Sequence, residues 1–281
     1  MNFDDLQKHI NNIMNEQNNQ LAPKFDGYSP FEMHNILHFT FGENSPIKLQ
    51  KLSDSDYKLI PIFNQIKYLM DLIDKVGEIK LTKKGFLPTN VVSDIYHQGF
   101  MKDEYVEKGI VKLYKEADSM SVTYTRILIE ISGLAKKVNG KLSLTKKGEK
   151  TINNNSSLFE TILETITLKL NWAYFDGYGE NQIGQLGFGF SLILLSKYGQ
   201  EKRLDSFYAV KYYNAYPSLF DSIEPQHSTR CYSFRTFRHF LNYLGLIKIE
   251  EEKVGFNSIK YITKTGLFEK LIKVEPHRTR Q

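Results

Sequence analysis

Leu81-Thr82-Lys83-Lys84-Gly85 recurs letter for letter as Leu144-Thr145-Lys146-Lys147-Gly148, and again with conservative changes as Ile262-Thr263-Lys264-Thr265-Gly266. Each copy follows an apolar helix-like run and a short strand-like run, and each precedes another helix-like segment. The residue types have a physical logic. The apolar residue ends a strand on its core side, and the threonine hydroxyl can accept a backbone N–H of the next helix. The glycine permits a tight turn against the sheet. The lysines belong at the surface, either within reach of a phosphate or simply solvated.

The middle copy reads most clearly. Ser121 is placed to cap a helix carrying Val122, Ile127, Leu128 and Ile131, and Gly133 ends it. Strands over 134–138 and 141–144 then flank Asn139-Gly140, a dipeptide suited to a type I′ hairpin because both residues tolerate positive φ. In the third copy, a helix starting at Ser228 or Thr229 turns Phe234, Phe237, Leu241 and Leu244 inward and ends at Gly245. Strands over 246–249 and 259–262 bracket a charged turn.

For the first copy, Ser53-Asp54-Ser55-Asp56 offers caps to a long helix over 57–76. Its apolar residues Leu59, Ile62, Phe63, Ile66, Leu69, Met70 and Ile73 recur at three- and four-residue steps, an inward-facing stripe. Pro61 is tolerated in its first turn. A short strand follows Gly77, and Pro88 opens a further helix, which leaves no room for a hairpin. The order helix, hairpin wing, closing helix predicts a mainly α (α+β) protein of repeated winged-helix-like modules, the first of them degenerate.

The flanking sequence completes the organisation. Residues 1–27 read as an N-terminal helix (Phe3, Leu6, Ile10, Ile13) and linker, and 28–152 as two winged-helix-like modules. Ser29-Pro30 with Glu32 is a capping-box start for a helix over Met33, Ile36 and Leu37. Asn153-Asn154-Asn155-Ser156-Ser157 reads as a linker. Residues 153–225 form a helical, aromatic-rich middle subdomain, and 226–281 a basic C-terminal winged-helix module.

At 281 residues the chain has room for about two domains. Its 41% hydrophobic and 25% charged residues are ordinary for a globular protein with a core. The single cysteine, Cys231, excludes an internal disulfide and a cysteine-based zinc site, and fits a reducing cytoplasm. The first twenty residues lack the apolar stretch of a signal peptide. The apolar run 183–195 contains glycines and falls short of the ~20 residues of a membrane-spanning helix, so no membrane partner is expected. Net charge is +5, from 37 Lys/Arg against 32 Asp/Glu. Residues 226–281 hold 11 of the basic and 5 of the acidic residues, which leaves 26 against 27 for residues 1–225. The basic excess therefore directs attention to the C-terminal module.

There, Arg235, Arg238 and Asn242 fall at i, i+3 and i+7, opposite Phe234, Phe237 and Leu241. An apolar inner face with an Arg/Asn outer face suits a recognition helix in a major groove, where Arg pairs with guanine and Asn with adenine. Arg230 at the helix start, with Lys260 and Lys264 on the wing, would hold phosphates of double-stranded DNA. The alternative is a solvated amphipathic helix on a scaffold for another protein or a second copy, its arginines paired to carboxylates.

His34 and His38, at i and i+4, have metal-ligand spacing but no evident third ligand and no intervening catalytic glutamate, so packing histidines and no metal are expected. Asp176 and Glu180 lack a nucleophile beside them. No phosphate loop, dinucleotide fingerprint, kinase or hydrolase motif is present, so neither an enzyme nor a cofactor is expected. The aromatic group around Trp172 reads equally as core or pocket.

The stretch Ser29-Pro30-Phe31-Glu32-Met33-His34, with Asn44-Ser45-Pro46 downstream, resembles a group of uncharacterised bacterial proteins. Lys80 to Pro88 (KLTKKGFLP) is similar to a segment accompanying plasmid pRiA4b ORF-3-like proteins. The resemblance covers roughly residues 28–150, with looser similarity over 187–212 and 229–245. It implies a winged-helix-type protein of bacteria or their mobile elements, and it transfers no catalytic residues.

Overall fold

The fold is that of a computed structural model, which describes residues 3–254 and 257–277. The centre of the charged turn, 255–256, and the last four residues of the basic tail lie outside the described residues. The chain is mainly α, with small antiparallel sheets of two or three strands. In chain order the strands are β1 (Ile47–Leu49), β2 (Ile79–Lys80), β3 (Ala135–Val138), β4 (Lys141–Leu144), β5 (Arg203–Leu204), β6 (Ile247–Val254), β7 (Asn257–Lys264) and β8 (Ile272–Val274). Two compact units result. The first holds Lys51–Phe175 with Tyr243–Gly245, and the second holds Met1–Gln50, Asp176–Asn242 and Leu246–Gln281. The stretch 153–157 lies inside the first unit, where the Asn154 side chain accepts the Ser157 N–H at 3.0 Å and caps the helix Asn155–Glu164.

In the first unit, Ser53 and Asp56 cap only a single turn, Asp54–Tyr57, and the main helix starts afresh at Pro61 and runs to Val76. Proline forces the preceding residue out of the helical region, and Ile60 is extended (φ −98°, ψ 104°). From Pro61 on, Ile62, Phe63, Ile66, Leu69, Met70 and Ile73 are buried as their spacing predicts, but Leu59, expected in the same stripe, precedes the helix and is exposed. The helices Thr89–His97 and Met120–Ile131 follow. Ser119, not Ser121, caps the latter, accepting the Val122 N–H at 3.2 Å while donating to Asp103 Oδ2 at 2.5 Å. Asp103 also accepts from the Ser121 hydroxyl at 3.0 Å, which takes that side chain out of the capping role.

β3 and β4 form the expected hairpin about Asn139 (φ 50°) and Gly140 (φ 72°). The first Leu-Thr-Lys-Lys-Gly copy has no hairpin, as anticipated, but neither is it a module of its own. Its strand β2 pairs with β4, so copies one and two share a single sheet of order β2-β4-β3.

The second unit repeats this plan. A buried helix, Phe188–Tyr198, starts later than the apolar run predicted, because Gly184 and Gly187 hold positive φ just before it. Then come β5, the helix Asp205–Ala215, a helix from Pro225 through Leu241, and the β6–β7 hairpin. The sheet order β5-β7-β6 matches β2-β4-β3: in each, the strand ahead of the helices joins the second hairpin strand. β1 and β8 form a separate pair. The Ser29/Glu32 capping box is present in both directions (3.2 and 2.9 Å). The helix Phe3–Asn19 buries no residue.

The shared motif is used differently in its two hairpin settings. Thr145 N–H bonds Leu134 O and Thr265 N–H bonds Leu246 O, both at 3.0 Å, so Thr145 and Thr265 are the equivalent residues and each caps the following helix. In the third copy the cap is therefore the fourth letter of the motif, not the second as the repeat suggested. Gly148 lies against the Leu134 carbonyl, whereas Gly266 opens its helix in free space.

Candidate nucleic-acid interface

The six residues expected to contact DNA do not form one face. Arg235 is 1% exposed. Its guanidinium forms a bidentate pair with Asp176 (Nε–Oδ2 2.6 Å, Nη2–Oδ1 2.9 Å) and donates to Asn181 O at 2.8 Å and Gly179 O at 3.0 Å. Burial opposes its charge, and the Asp176 carboxylate more than restores it, holding the pKa above the ordinary arginine value. The cause lies in the backbone. Residues Ser233–Leu241 are π-helical, and their end is marked by i→i+5 bonds such as Asn242 N–H to Phe237 O at 2.9 Å. At roughly 4.4 residues per turn instead of 3.6, Arg235 rotates more than about 100° away from the stripe it would share with Arg238 and Asn242.

Lys264 also turns inward. Its ammonium donates to Ser196 O at 2.9 Å and pairs with Glu269 at 2.5 Å. Lys260 lies across the ladder from Glu251. Lys202 pairs with both Glu250 (2.9 Å) and Glu252 (3.1 Å), so the wing of the second unit carries mixed charge. Arg238 is half-buried with its guanidinium 6.0 Å from the Phe234 ring, Asn242 is half-buried, and Arg230 is exposed.

The structure instead assembles cations on the first unit. The register β2-β4-β3 puts Ile79, Leu142, Leu144 and Ala135 on the buried side of the sheet and Lys80, Lys141 and Lys136 on the solvent side, one on each strand. Lys80 and Lys141 are direct cross-strand partners, a like-charge juxtaposition that opposes folding and that Glu78, ion-paired to Lys141, partly offsets. Lys83 and Lys84 are exposed in the loop after β2. Lys137, paired with Leu142, projects to the other side of the sheet from Lys136, where its ammonium rests over Gly85 of that loop. Lys146 and Lys150 are exposed on the helix after β4, while Lys147 is tied to Ser132 O at 2.9 Å. Lys80, Lys83, Lys84, Lys136 and Lys137 make no ion pair with any described residue. The repeated lysines were visible in the sequence. That Lys80, Lys141 and Lys136 share one side of a sheet was not, because it depends on β2 pairing with a strand some sixty residues away.

Elsewhere, His34 and His38 are exposed and not packed in the core, their rings 4.5 Å apart. Among the described residues no group of three or more His, Cys, Asp or Glu is placed to hold a metal ion. Trp172 is core: it is buried and donates Nε1–H to Ile166 O at 2.7 Å, with Phe175 packed 4.8 Å from Tyr124. Cys231 is buried, and burial pushes its thiol up to about 12. Among the described residues no helix is long and apolar enough to cross a membrane.

Residues 58–157 match the family model described as the Y4jL N-terminal domain, a description that names neither a fold nor an activity. The matched segment falls within the first unit and carries the whole lysine-bearing sheet. No curated protein and no solved structure matches the chain.

Proposed function

We propose that the protein binds double-stranded DNA through the lysine-bearing sheet of its first unit, as a winged-helix-type protein of the cytoplasm without catalytic activity. The observation that carries this reading is the solvent side of the β2-β4-β3 sheet, with a lysine on every strand and more lysines on the loop and helix beside it. Evenly spread single-sign charge on a folded sheet costs stability, and a polyanion is the partner that turns it to use. The element order supports the winged-helix assignment. A helix, a strand, two further helices and a hairpin follow one another, with the first strand joining the hairpin's second strand, and the second unit repeats that order. The DNA surface thus moves from residues 228–264, where Arg235 and Lys264 are engaged internally, to residues 80–150.

Fluorescence anisotropy of a labelled duplex, titrated from low to physiological salt, tests the proposal. Saturable binding that weakens steeply with salt is expected, and no binding at low salt would overturn it. A second reading, a winged-helix scaffold for another protein or a second copy, draws on the Phe3–Asn19 helix. Its Phe3, Leu6, Ile10, Ile13 and Met14 are all exposed. Sedimentation over a concentration series distinguishes the two, since a scaffold of identical copies must shift in mass while the DNA reading does not require it.

A further inference from the structure

We infer that the lysine face holds duplex DNA by its phosphodiester backbone alone and reads no bases, so that the protein grips DNA irrespective of sequence. The inference rests on the DNA-binding reading above and specifies its ligand.

The first ground is the fate of the helix that stands immediately before the hairpin, the place from which a base-reading helix would project. Met120–Ile131 is the interior of its unit. It packs against the helices Pro61–Val76 and Thr89–His97, the Thr165–Lys169 turn and β3. Val122, Leu128 and Ile129 are fully buried, and its only exposed residue is the terminal Ile131. Its polar side chains are committed inside the unit. Thr123 donates to Glu116 O at 2.9 Å, and Thr125 donates to Ser121 O at 2.9 Å while accepting from Gln65 at 2.8 Å. Arg126, the one bidentate-capable cation on this helix, pairs with Glu116 and Glu130. No side chain is left to meet a base edge.

The second ground is the chemistry of the face itself. Its cations are all lysines, compact point charges without the planar fork that lets arginine discriminate guanine. Asn139, the amide side chain at the hairpin tip, is there as a turn residue at φ 50°. Ammonium–phosphate contacts contribute affinity through counterion release and carry no sequence information. On the matching helix of the second unit Arg235 is likewise withdrawn from any base, locked to Asp176.

The test uses the full chain and three labelled duplexes of equal length, AT-rich, GC-rich and mixed. A single strand and vesicles of phosphatidylserine with phosphatidylcholine are run alongside. Expected are dissociation constants for the duplexes that agree within about twofold, and a log–log salt slope of roughly −0.9 for each lysine that meets a phosphate. The variant Lys84→Glu/Lys136→Glu, at two exposed positions, should weaken all three duplexes equally and by at least about tenfold, with unchanged circular dichroism. A tenfold or greater preference among the duplexes would overturn the inference while leaving DNA binding intact. No duplex binding at low salt would overturn both, and vesicle binding in its place would assign the face to an anionic membrane. Tighter binding of the single strand than of any duplex would overturn the duplex assignment.

Discussion

Arg235 shows how a residue with the right chemistry for one role can be fixed in another. Its guanidinium sits at 1% exposure with every donor direction met by Asp176, Asn181 or Gly179. Removing one partner of such a pair leaves the other charge buried and uncompensated, at a cost of roughly 3–5 kcal/mol. Arg235→Ala is therefore expected to lower the unfolding midpoint in urea sharply. At temperatures where the variant stays folded, its DNA affinity should match the unaltered protein. A folded variant that had lost DNA binding would return Arg235 to the interface. Four residues on, His239 makes a pH argument. Burial first, and Arg238 second, push its imidazole from 6.5 down to about 3. Between those values the unfolded chain binds a proton that the folded chain refuses. Stability therefore falls as pH drops from about 6.5 toward 3, by on the order of 1 kcal/mol per pH unit from this group. His239→Gln should flatten that part of a stability–pH curve measured by chemical denaturation, and an identical curve would show that other groups dominate acid unfolding.

At the scale of elements, the recurrent pentapeptide is the instructive case, because its glycine has two environments. A Cβ on Gly148 would stand 2.1 Å from the Leu134 carbonyl oxygen, a backbone atom that cannot swing aside. Gly148→Ala should thus push the helix Lys146–Thr151 off the hairpin and cost about 1–3 kcal/mol. Gly266 has no atom within 4 Å of the point a methyl carbon would occupy and no positive φ, so Gly266→Ala should be neutral or stabilise by up to about 1 kcal/mol. Thermal unfolding of the two variants decides the matter, and equal shifts would contradict the environments described. The same case marks where a sequence is readable. The capping box at Ser29, the turn at Asn139-Gly140 and the inward stripe from Ile62 to Ile73 are local: each is settled by residues within one turn or one heptad. The pairing of β2 with β4, the shift of the third threonine cap to Thr265, and the π-helical widening after Ser233 are settled by tertiary packing. Letter identity over five residues carries no trace of them. The lysine site was half legible for this reason, with its residues in view and its surface not.

For the whole molecule, the question is whether charge counted along a chain predicts charge presented to a partner. Counted by segment, the excess belongs to residues 226–281. Counted by pairing, much of it is spent: Arg235 on Asp176, Lys264 on Glu269, with Lys260 across from Glu251. On the β2-β4-β3 sheet Glu78 takes Lys141, while Lys80 and Lys136 are exposed and make no ion pair with a described residue. Because the Debye length at physiological ionic strength is about 8 Å, a polyanion responds to ammonium groups it can reach and not to a chain-wide sum. Two variants with the same loss of formal charge separate these views. Arg230→Gln/Lys260→Gln, in the C-terminal module, should leave duplex affinity within about twofold and the salt slope unchanged. Lys83→Gln/Lys136→Gln, at the sheet, should cut affinity severalfold and make the slope shallower by about two units, one for each lost phosphate contact. Equal effects from both pairs would mean that net charge alone draws the DNA, and the sheet would lose its claim as the binding surface.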